Sequence, residues 1–316
     1  MRVAFIINGS IKKLYKTIDS ITKTFNNFDI KIYTSDDEEH YKQLCQEALD
    51  DQCDHIILVG GDGTVNQGIN GIINHFKLNG NKQPNNFDWN ALSRIKVGVY
   101  PAGSGNDFVK TVYNETSLKT LKELIEKQSY QMIDIGWVSF QNFQLQEDIR
   151  FFINITDVGM GGETVRKKNN LPKWMGSNFS YFWAITSTLA TYKKCNVKAY
   201  NDNFFWEGKV INMVVANGKY FGNGLGIAPD AEIANGKFSF ITIGDITLFE
   251  YFKHINTVKK CIKIDHPKVS YYSLDKITIE SNTSRKITID MDGEFIGTAP
   301  MTLQCLSRKI NFIAKI

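Results

Sequence analysis

The run His55-Ile-Ile-Leu-Val-Gly-Gly-Asp-Gly-Thr-Val-Asn-Gln67 constrains the fold more than any other stretch of this chain. Its apolar opening, rich in Ile and Val, reads as a buried parallel strand. The strand pattern stops at Gly60-Gly61-Asp62-Gly63-Thr64, and Val65, Ile69, Ile72, Ile73 and Phe76 then recur at helical spacing. Three glycines between a strand and a helix remove Cβ atoms where a ligand can approach the backbone. They also permit φ > 0, so that successive amide N–H groups point at one anion. The helix start adds its positive dipole end. An acid among anion-binding amides implies a cation as well, so Asp62 points to a phosphate ligand carrying Mg²⁺. The plainer alternative is a strand–turn–helix connection in which Asp62 caps the helix.

A second segment repeats the design. Lys96-Val-Gly-Val-Tyr100 reads as a short strand, and Pro101-Ala-Gly-Ser-Gly-Asn-Asp107 leads into a helix from Phe108. In open α/β sheets, ligands bind at such carboxyl ends of strands. Neither loop is a Walker A sequence, and neither fits Gly-x-Gly-x-x-Gly with an acid about 20 residues on. Phosphate binding by a different pair of loops is the reading that remains. Ala102-Gly-Ser-Gly105 also lacks the Gly-x-Ser-x-Gly pattern of a serine nucleophile.

Strand and helix patterns alternate around these loops: strand over Arg2–Ile7, helix over Lys12–Phe25, strand over Asp29–Tyr33, helix over Glu38–Leu49 and helix over Leu118–Lys127. The alternation predicts an α/β domain with a parallel sheet over residues 1–130. The polar stretch Lys77–Asn90 is expected as an exposed loop. Over residues 131–300 short strands recur instead: Met132–Val138, Phe151–Ile155, Val197–Tyr200, Val210–Ala216, Lys237–Ile243, Lys276–Glu280 and Lys286–Asp290. That texture predicts a β-rich second domain, an antiparallel sandwich or barrel. Ser177–Tyr192 is its only long helical candidate. The tail, residues 301–316, alternates as strands do and is expected to return to the first domain.

A chain of 316 residues, 42% apolar and 22% charged, has the composition of a globular enzyme of one or two domains. Its net charge of +4 argues against a nucleic-acid partner. The five cysteines (Cys45, Cys53, Cys195, Cys261, Cys305) are scattered with no Cys-x-x-Cys spacing, so neither a disulfide framework nor a zinc site is indicated. The histidines also lack ligand spacing. The opening residues are too few for a signal segment, and no apolar run reaches the length of a membrane span. A cytoplasmic protein is expected, and one that acts on lipid would visit the membrane surface from there.

Four elements in order, Gly60-Gly-Asp-Gly-Thr64, Pro101-Ala-Gly-Ser-Gly-Asn-Asp107, Asp134-Ile-Gly136 and Asp292-Gly-Glu294, resemble diacylglycerol kinase catalytic domains. The chain is similar to the soluble bacterial lipid kinases of that family, which are related to sphingosine kinases. Asn217-Gly-Lys-Tyr-Phe-Gly-Asn-Gly-Leu-Gly-Ile-Ala-Pro-Asp-Ala231 looks like the second-domain signature. Gly-Gly-Asp-Gly-Thr alone is shared with NAD kinases.

The resemblance implies a nucleotide-binding domain, a β-rich lipid-substrate domain and an active site in the cleft between them. It implies transfer of the ATP γ-phosphoryl group to a lipid hydroxyl, with diacylglycerol the first expectation and phospholipid biosynthesis the setting. By position, Gly60, Gly61, Asp62, Gly63, Thr64 and Asn66 would hold ATP, together with Gly103, Ser104, Asn106 and Asp107. Asn8, Gly9 and Ser10, in the phosphate-facing loop where the family carries Asn-Pro-x-x-Gly, would also hold ATP, though their loop chemistry is altered. Asp62, Asp107 and Asp134 would form a water-linked network around Mg²⁺. Asp292 would take the proton of the acceptor hydroxyl, with Glu294 as partner or alternative. Relatives with a structural Mg²⁺ hold it after the Pro-Asp-Ala run, where Asn235 and Lys237 here weaken a divalent site.

Arg166-Lys-Lys168, Lys173-Trp174, Lys193-Lys194 and Lys259-Lys260 place positive charge near the aromatic stretch Phe179–Trp183. Such a surface suits transient contact with anionic headgroups, or is a solvated rim beside a core helix. A homodimer is compatible with the chain. The rivals to a diacylglycerol kinase are a sphingoid-base, ceramide or NAD kinase, and a catalytically inactive regulator that binds nucleotide or lipid.

Overall fold

The structure is a computed structural model that describes residues 1–78, 80, 82–113, 116–172, 174, 176–283 and 286–314. The chain divides into two units, Met1–Ile135 with Leu306–Ile316, and Gly136–Cys305.

The first unit alternates β1 (Arg2–Asn8), α1 (Leu14–Thr24), β2 (Asp29–Ser35), α2 (Glu38–Asp50), β3 (His55–Gly60) and α3 (Asp62–His75). It continues with α4 (Trp89–Leu92), β4 (Lys96–Pro101), α5 (Asp107–Val112) and α6 (Leu118–Glu126). The strands pair in parallel in the order β4-β3-β1-β2. Asn311 and Phe312 add a further parallel partner outside β4. All six residues of β3 are buried, as a central strand covered on both faces requires. Tyr41, Leu44, Cys45 and Ala48 of α2 are buried at helical spacing, as are Val65, Ile69, Ile72 and Ile73 of α3. The polar stretch Lys77–Asn90, part of which lies outside the described residues, is not a plain exposed loop. Phe87 is buried and bridges Lys77, and Asp88 caps α4 through the Ala91 N–H at 2.9 Å.

The second unit takes up the chain within β5 (Tyr130–Gln141) and continues with β6 (Glu147–Phe152), β7 (Ile155–Gly159), α7 (Met160–Asn169) and α8 (Ser177–Thr191). There follow β8 (Cys195–Asn201), β9 (Phe204–Val210), β10 (Asn212–Ala216), β11 (Phe238–Ile243), α9 (Leu248–Lys259) and β12 (Val269–Leu274). The last strands are β13 (Lys276–Ser281), β14 (Thr288–Met291) and β15 (Glu294–Ile313). One antiparallel run is β12-β11-β10-β7-β14-β15, and a second is β9-β8-β13-β15. Side chains alternate as the pleat demands. Met213 and Val215 pack into a core with Phe152, Phe240, Ile279 and Leu303, whereas Val214 and Ala216 pack with Ile227, Ala228 and Ile241.

The parallel α/β first unit and the β-rich second unit agree with the expected fold class. Two helices, α7 and α9, lie where only the Ser177–Tyr192 helix was expected. The sequence of α7, Met-Gly-Gly-Glu-Thr-Val-Arg-Lys-Lys-Asn, carries no apolar stripe. That of α9 does begin with a readable capping box, Thr247 with Glu250. The single strand expected over Phe151–Ile155 is broken at Ile153-Asn154, and that break belongs to the candidate site.

Candidate active site

In the first unit β3 ends at Gly60, Gly61 is extended, and α3 starts at Asp62. Asp62, Gly63 and Thr64 are therefore the first turn of the helix, whose first amide groups have no partner within the helix. Asp62 is not the cap, since Gly61 holds that position. Its carboxylate instead accepts the N–H of Phe108 at 3.1 Å, in the first turn of α5. The glycines do not serve to reverse the backbone, because Gly60, Gly61 and Gly63 all keep negative φ. They serve to leave room. A Cβ on Gly61 would lie 3.2 Å from Gly103 Cα, and one on Gly60 would lie 2.5 Å from the Thr64 side chain. The two glycine loops thus meet backbone to backbone.

The left-handed residue of the second loop is Asn106, with φ 53°. Its Oδ1 accepts the Gly103 N–H at 3.1 Å and its Nδ2 donates to the Gly103 carbonyl at 2.9 Å, which closes the loop on itself. Ser104, at the tip, is exposed. The loop after β1 joins the same group: Asn8 Nδ2 donates to Thr64 Oγ1 at 2.9 Å, and Asn8 Oδ1 accepts the Ser10 N–H at 2.9 Å. A Cβ on Gly9 would overlap the Ser35 carbonyl. Asn8, Thr64 and Gly103 therefore mark the carboxyl ends of three adjacent parallel strands.

Asp62 and Asp107 flank Gly105, where a Cβ would stand 2.9 Å from Asp62 Oδ2 and 3.4 Å from Asp107 Oδ2. Burial, and after it the charge of Asp107, pushes the Asp62 carboxyl up to about 6. Asp107 is itself buried and pairs with Lys110 at 2.8 Å. Two other expected residues are placed differently. Asn66 is buried in α3, and its Oδ1 accepts from Asn70 one turn on. Asp134 is wholly buried and accepts the Arg308 N–H at 2.8 Å. Among the described residues, no group of three or more His, Cys, Asp or Glu side chains could hold a metal ion directly. Asp230 pairs with Lys263, and Asn235 Oδ1 accepts the Lys237 N–H at 2.9 Å.

In the second unit Asp292 and Gly293 form the two-residue turn between β14 and β15, with φ 48° and 86°. Positive φ at both positions fits a hairpin turn that matches strand twist. Asp292 is buried, and three successive amides donate to its carboxylate: Ile153 at 3.2 Å, Asn154 at 3.2 Å and Ile155 at 2.9 Å. Those N–H groups leave the strand ladder to do so, which is why β6 and β7 are separate strands. Three charge-assisted donors hold the carboxylate in one orientation. Glu294 pairs with Arg150 at 3.4 Å. Asp157, buried, and Asp290, half-buried, stand opposite each other on β7 and β14 and were not anticipated. The readable signal was an acid inside the apolar run Phe151–Val158.

A model of the diacylglycerol kinase catalytic domain matches residues 2–138, and one of the YegS C-terminal NAD kinase beta sandwich-like domain matches residues 156–314. The chain belongs to the diacylglycerol kinase catalytic-domain family. Among similar proteins of that family, a diacylglycerol kinase of Staphylococcus haemolyticus (strain JCSC1435) is 25% identical over 286 residues, covering 90% of this chain and 78% of its own length. A diacylglycerol kinase of Staphylococcus carnosus (strain TM300) is 26% identical over 266 residues, with 84% and 78% covered. The fold is that of a diacylglycerol kinase crystal structure from Bacillus anthracis str. Sterne, with a TM-score of 0.68, 20% identity, and 99% and 97% of the two chains covered.

Proposed function

We propose that this chain is an ATP- and Mg²⁺-dependent lipid kinase that phosphorylates the hydroxyl of a lipid alcohol, diacylglycerol foremost. The observation that carries the proposal is the contact of the two glycine loops around the half-buried Asp62 and the buried Asp107. Two loops stripped of Cβ atoms at neighbouring strand ends leave amides open to phosphate oxygens. Two carboxylates enclosed side by side, with Lys110 paired to one of them, make a site that a divalent cation fits, and Asp62 and Asp107 would hold it through water. When bound, ATP with Mg²⁺ supplies the phosphoryl group and neutralises its charge. Asn8, Thr64, Gly103 and Asn106 shape the cradle, and Ser104 is free at its tip to approach phosphate. Asp292, fixed by three amides, orients the acceptor hydroxyl and receives its proton.

Asp292→Asn keeps the shape of the turn and removes the negative charge. It is expected to lower kcat with diacylglycerol and ATP by about 10²–10⁴-fold with little change in the KM for ATP. Unchanged turnover would remove Asp292 from the chemistry, and a wild-type chain that binds ATP without transferring phosphate to any lipid would favour the inactive regulator.

Contact with a membrane surface is part of the proposal. Phe179, Phe182 and Trp183 on α8 and Phe249 and Phe252 on α9 are all exposed, as is Trp174. Lys168 lies over the Tyr181 ring at 4.4 Å, and Lys173 falls outside the described residues. Exposed aromatics beside cations suit a headgroup layer, and no helix among the described residues is long and apolar enough to cross it. Replacing Trp183 and Phe249 together by Ser should reduce sedimentation with vesicles containing anionic lipid by several-fold. Equal sedimentation of both forms would leave the aromatics as ordinary surface.

A further inference from the structure

Three oxygen-bearing side chains of the second unit gather on adjacent strands: Asp290 on β14, Asp157 on β7 and Asn212 on β10. Asp157 and Asp290 are register partners, so their side chains share one face of the sheet with Cβ atoms about 5 Å apart. Val214 stands opposite Asp157 on the other side, and Asn212, two residues from it, shares that face. A hydrogen bond from the Asn212 side chain reaches the Asp157 carboxyl. Asp157 is 1% exposed and Asn212 5%, while Asp290 is half-buried. The Oδ1 atoms of all three are enclosed, and none accepts a hydrogen bond within the described residues. All three line a mostly apolar cavity of about 1020 Å³, part of it open to solvent, under α7, α8 and α9. Two glycines make room for them. A Cβ on Gly161 would overlap the Asp157 carboxylate, and one on Gly159 would lie 2.6 Å from Asn212 Oδ1.

Enclosed acids are retained where they are paired or coordinate a metal. Neither acid pairs with a lysine or arginine among the described residues. Burial raises both carboxyls, and the charges of Asp157 and then Asp292 raise Asp290 further, so on its own the pair keeps a proton. A cation that displaces this proton would let both acids ionise. We propose that Asp157, Asp290 and Asn212 form a binding site for a hard divalent cation, separate from the pair Asp62 and Asp107. Mg²⁺ suits the donor set, because it is held by one or two carboxylates and keeps several waters, for which the adjoining cavity has room. The ion would tie β7 to β14, the strands that present Asp292. Ile155, the first residue of β7, donates to Asp292, and β14 ends one residue before it. The site itself does not depend on the lipid-kinase reading, and only its support of the Asp292 turn bears on turnover.

The test is Mg²⁺ binding to the full chain without nucleotide, in an Asp62→Asn background that removes the charge of the loop acid. Equilibrium dialysis should find about one Mg²⁺ per chain, and about 10 mM Mg²⁺ should raise the denaturation midpoint by about 3 °C or more. Adding Asp157→Asn with Asp290→Asn, which keeps side-chain volume, should abolish both effects. Asn212→Leu leaves the acids in place and removes the amide oxygen, and it should weaken Mg²⁺ about tenfold. It reads the site independently of the paired replacement. No Mg²⁺ bound by the Asp62→Asn chain would overturn the site, and so would binding that survives loss of both acids. An affinity unchanged by Asn212→Leu would overturn the three-oxygen arrangement. Lipid phosphorylation by the wild-type chain separates this site from the kinase reading. Mg²⁺ bound at these residues with no transfer would keep the site and sink the kinase. Transfer by a chain whose Asp62→Asn form binds no Mg²⁺ would do the reverse.

Discussion

The carboxylate of Asp62 is enclosed with that of Asp107 by the loops that meet at Gly61 and Gly103, and the folded state holds its proton up to a pH of about 6. The sign of the linkage follows. Between a pH of about 4 and about 6, the folded chain keeps a proton that the unfolded chain has lost, so stability falls as pH rises through that window. Above it, the ionised acid is a constant cost, at most about 2–3 kcal/mol from the size of the shift. Asp62→Asn keeps the acceptor for the Phe108 N–H and removes the charge. It should raise the denaturation midpoint at pH 8, change it little at pH 4, and abolish turnover. A loss of stability at pH 8 would show that the charge is held by favourable contacts instead. Mg²⁺ should stabilise the wild-type chain more at pH 8 than at pH 5, because the metal competes with the proton for the pair.

Among the elements, the glycine loops show how a correct motif can be read for an incomplete reason. A run of three glycines between strand and helix is visible in the sequence, and so is the small-residue character of Pro101–Asp107. Positive φ was one expected use of the glycines, but that conformation falls to Asn106, and the glycines are needed for the approach of one backbone to another. No local pattern reveals that approach, since the two loops are about 40 residues apart in sequence and become neighbours only because β3 and β4 pair. Gly103→Ala would push its methyl group onto Gly61 Cα. It is expected to raise the KM for ATP at least tenfold while costing only about 1–2 kcal/mol of stability, measured by urea denaturation alongside the kinetics. The Asp292-Gly293 turn is as legible as any hairpin, yet the three amides that orient Asp292 come from a strand break near Asn154 that period-2 reasoning runs straight through.

Across the whole molecule, the chain leaves the first unit after Ile135 and re-enters it at Leu306. The returning segment is no loose tail. Ile310, Phe312 and Ile313 are fully buried, Tyr113 donates its hydroxyl to the Ile313 carbonyl at 2.5 Å, and Phe108 meets Phe312 edge to face at 5.5 Å. Phe312→Ala should therefore cost about 3–5 kcal/mol, read as a lower denaturation midpoint. Phe108 belongs to the short helix whose first turn holds Asp62, so the same variant should also weaken nucleotide binding. A midpoint within 1 kcal/mol of wild type would show that this packing contributes little.

The amino-acid order by itself determined the alternation of strands and helices, the buried character of β3 and the turn chemistry at Asp292-Gly293. Those properties depend on a residue and its near neighbours, through apolar period, side-chain volume and allowed φ. Tertiary structure alone decided that Asp62 bonds to the start of α5, that Asn8 reaches Thr64, that Asp134 serves Arg308, and that Asp157 stands opposite Asp290. Each of these depends on which strands pair and in what register. Pairing is settled by the burial of whole faces at once, a sum over distant residues that no short stretch contains.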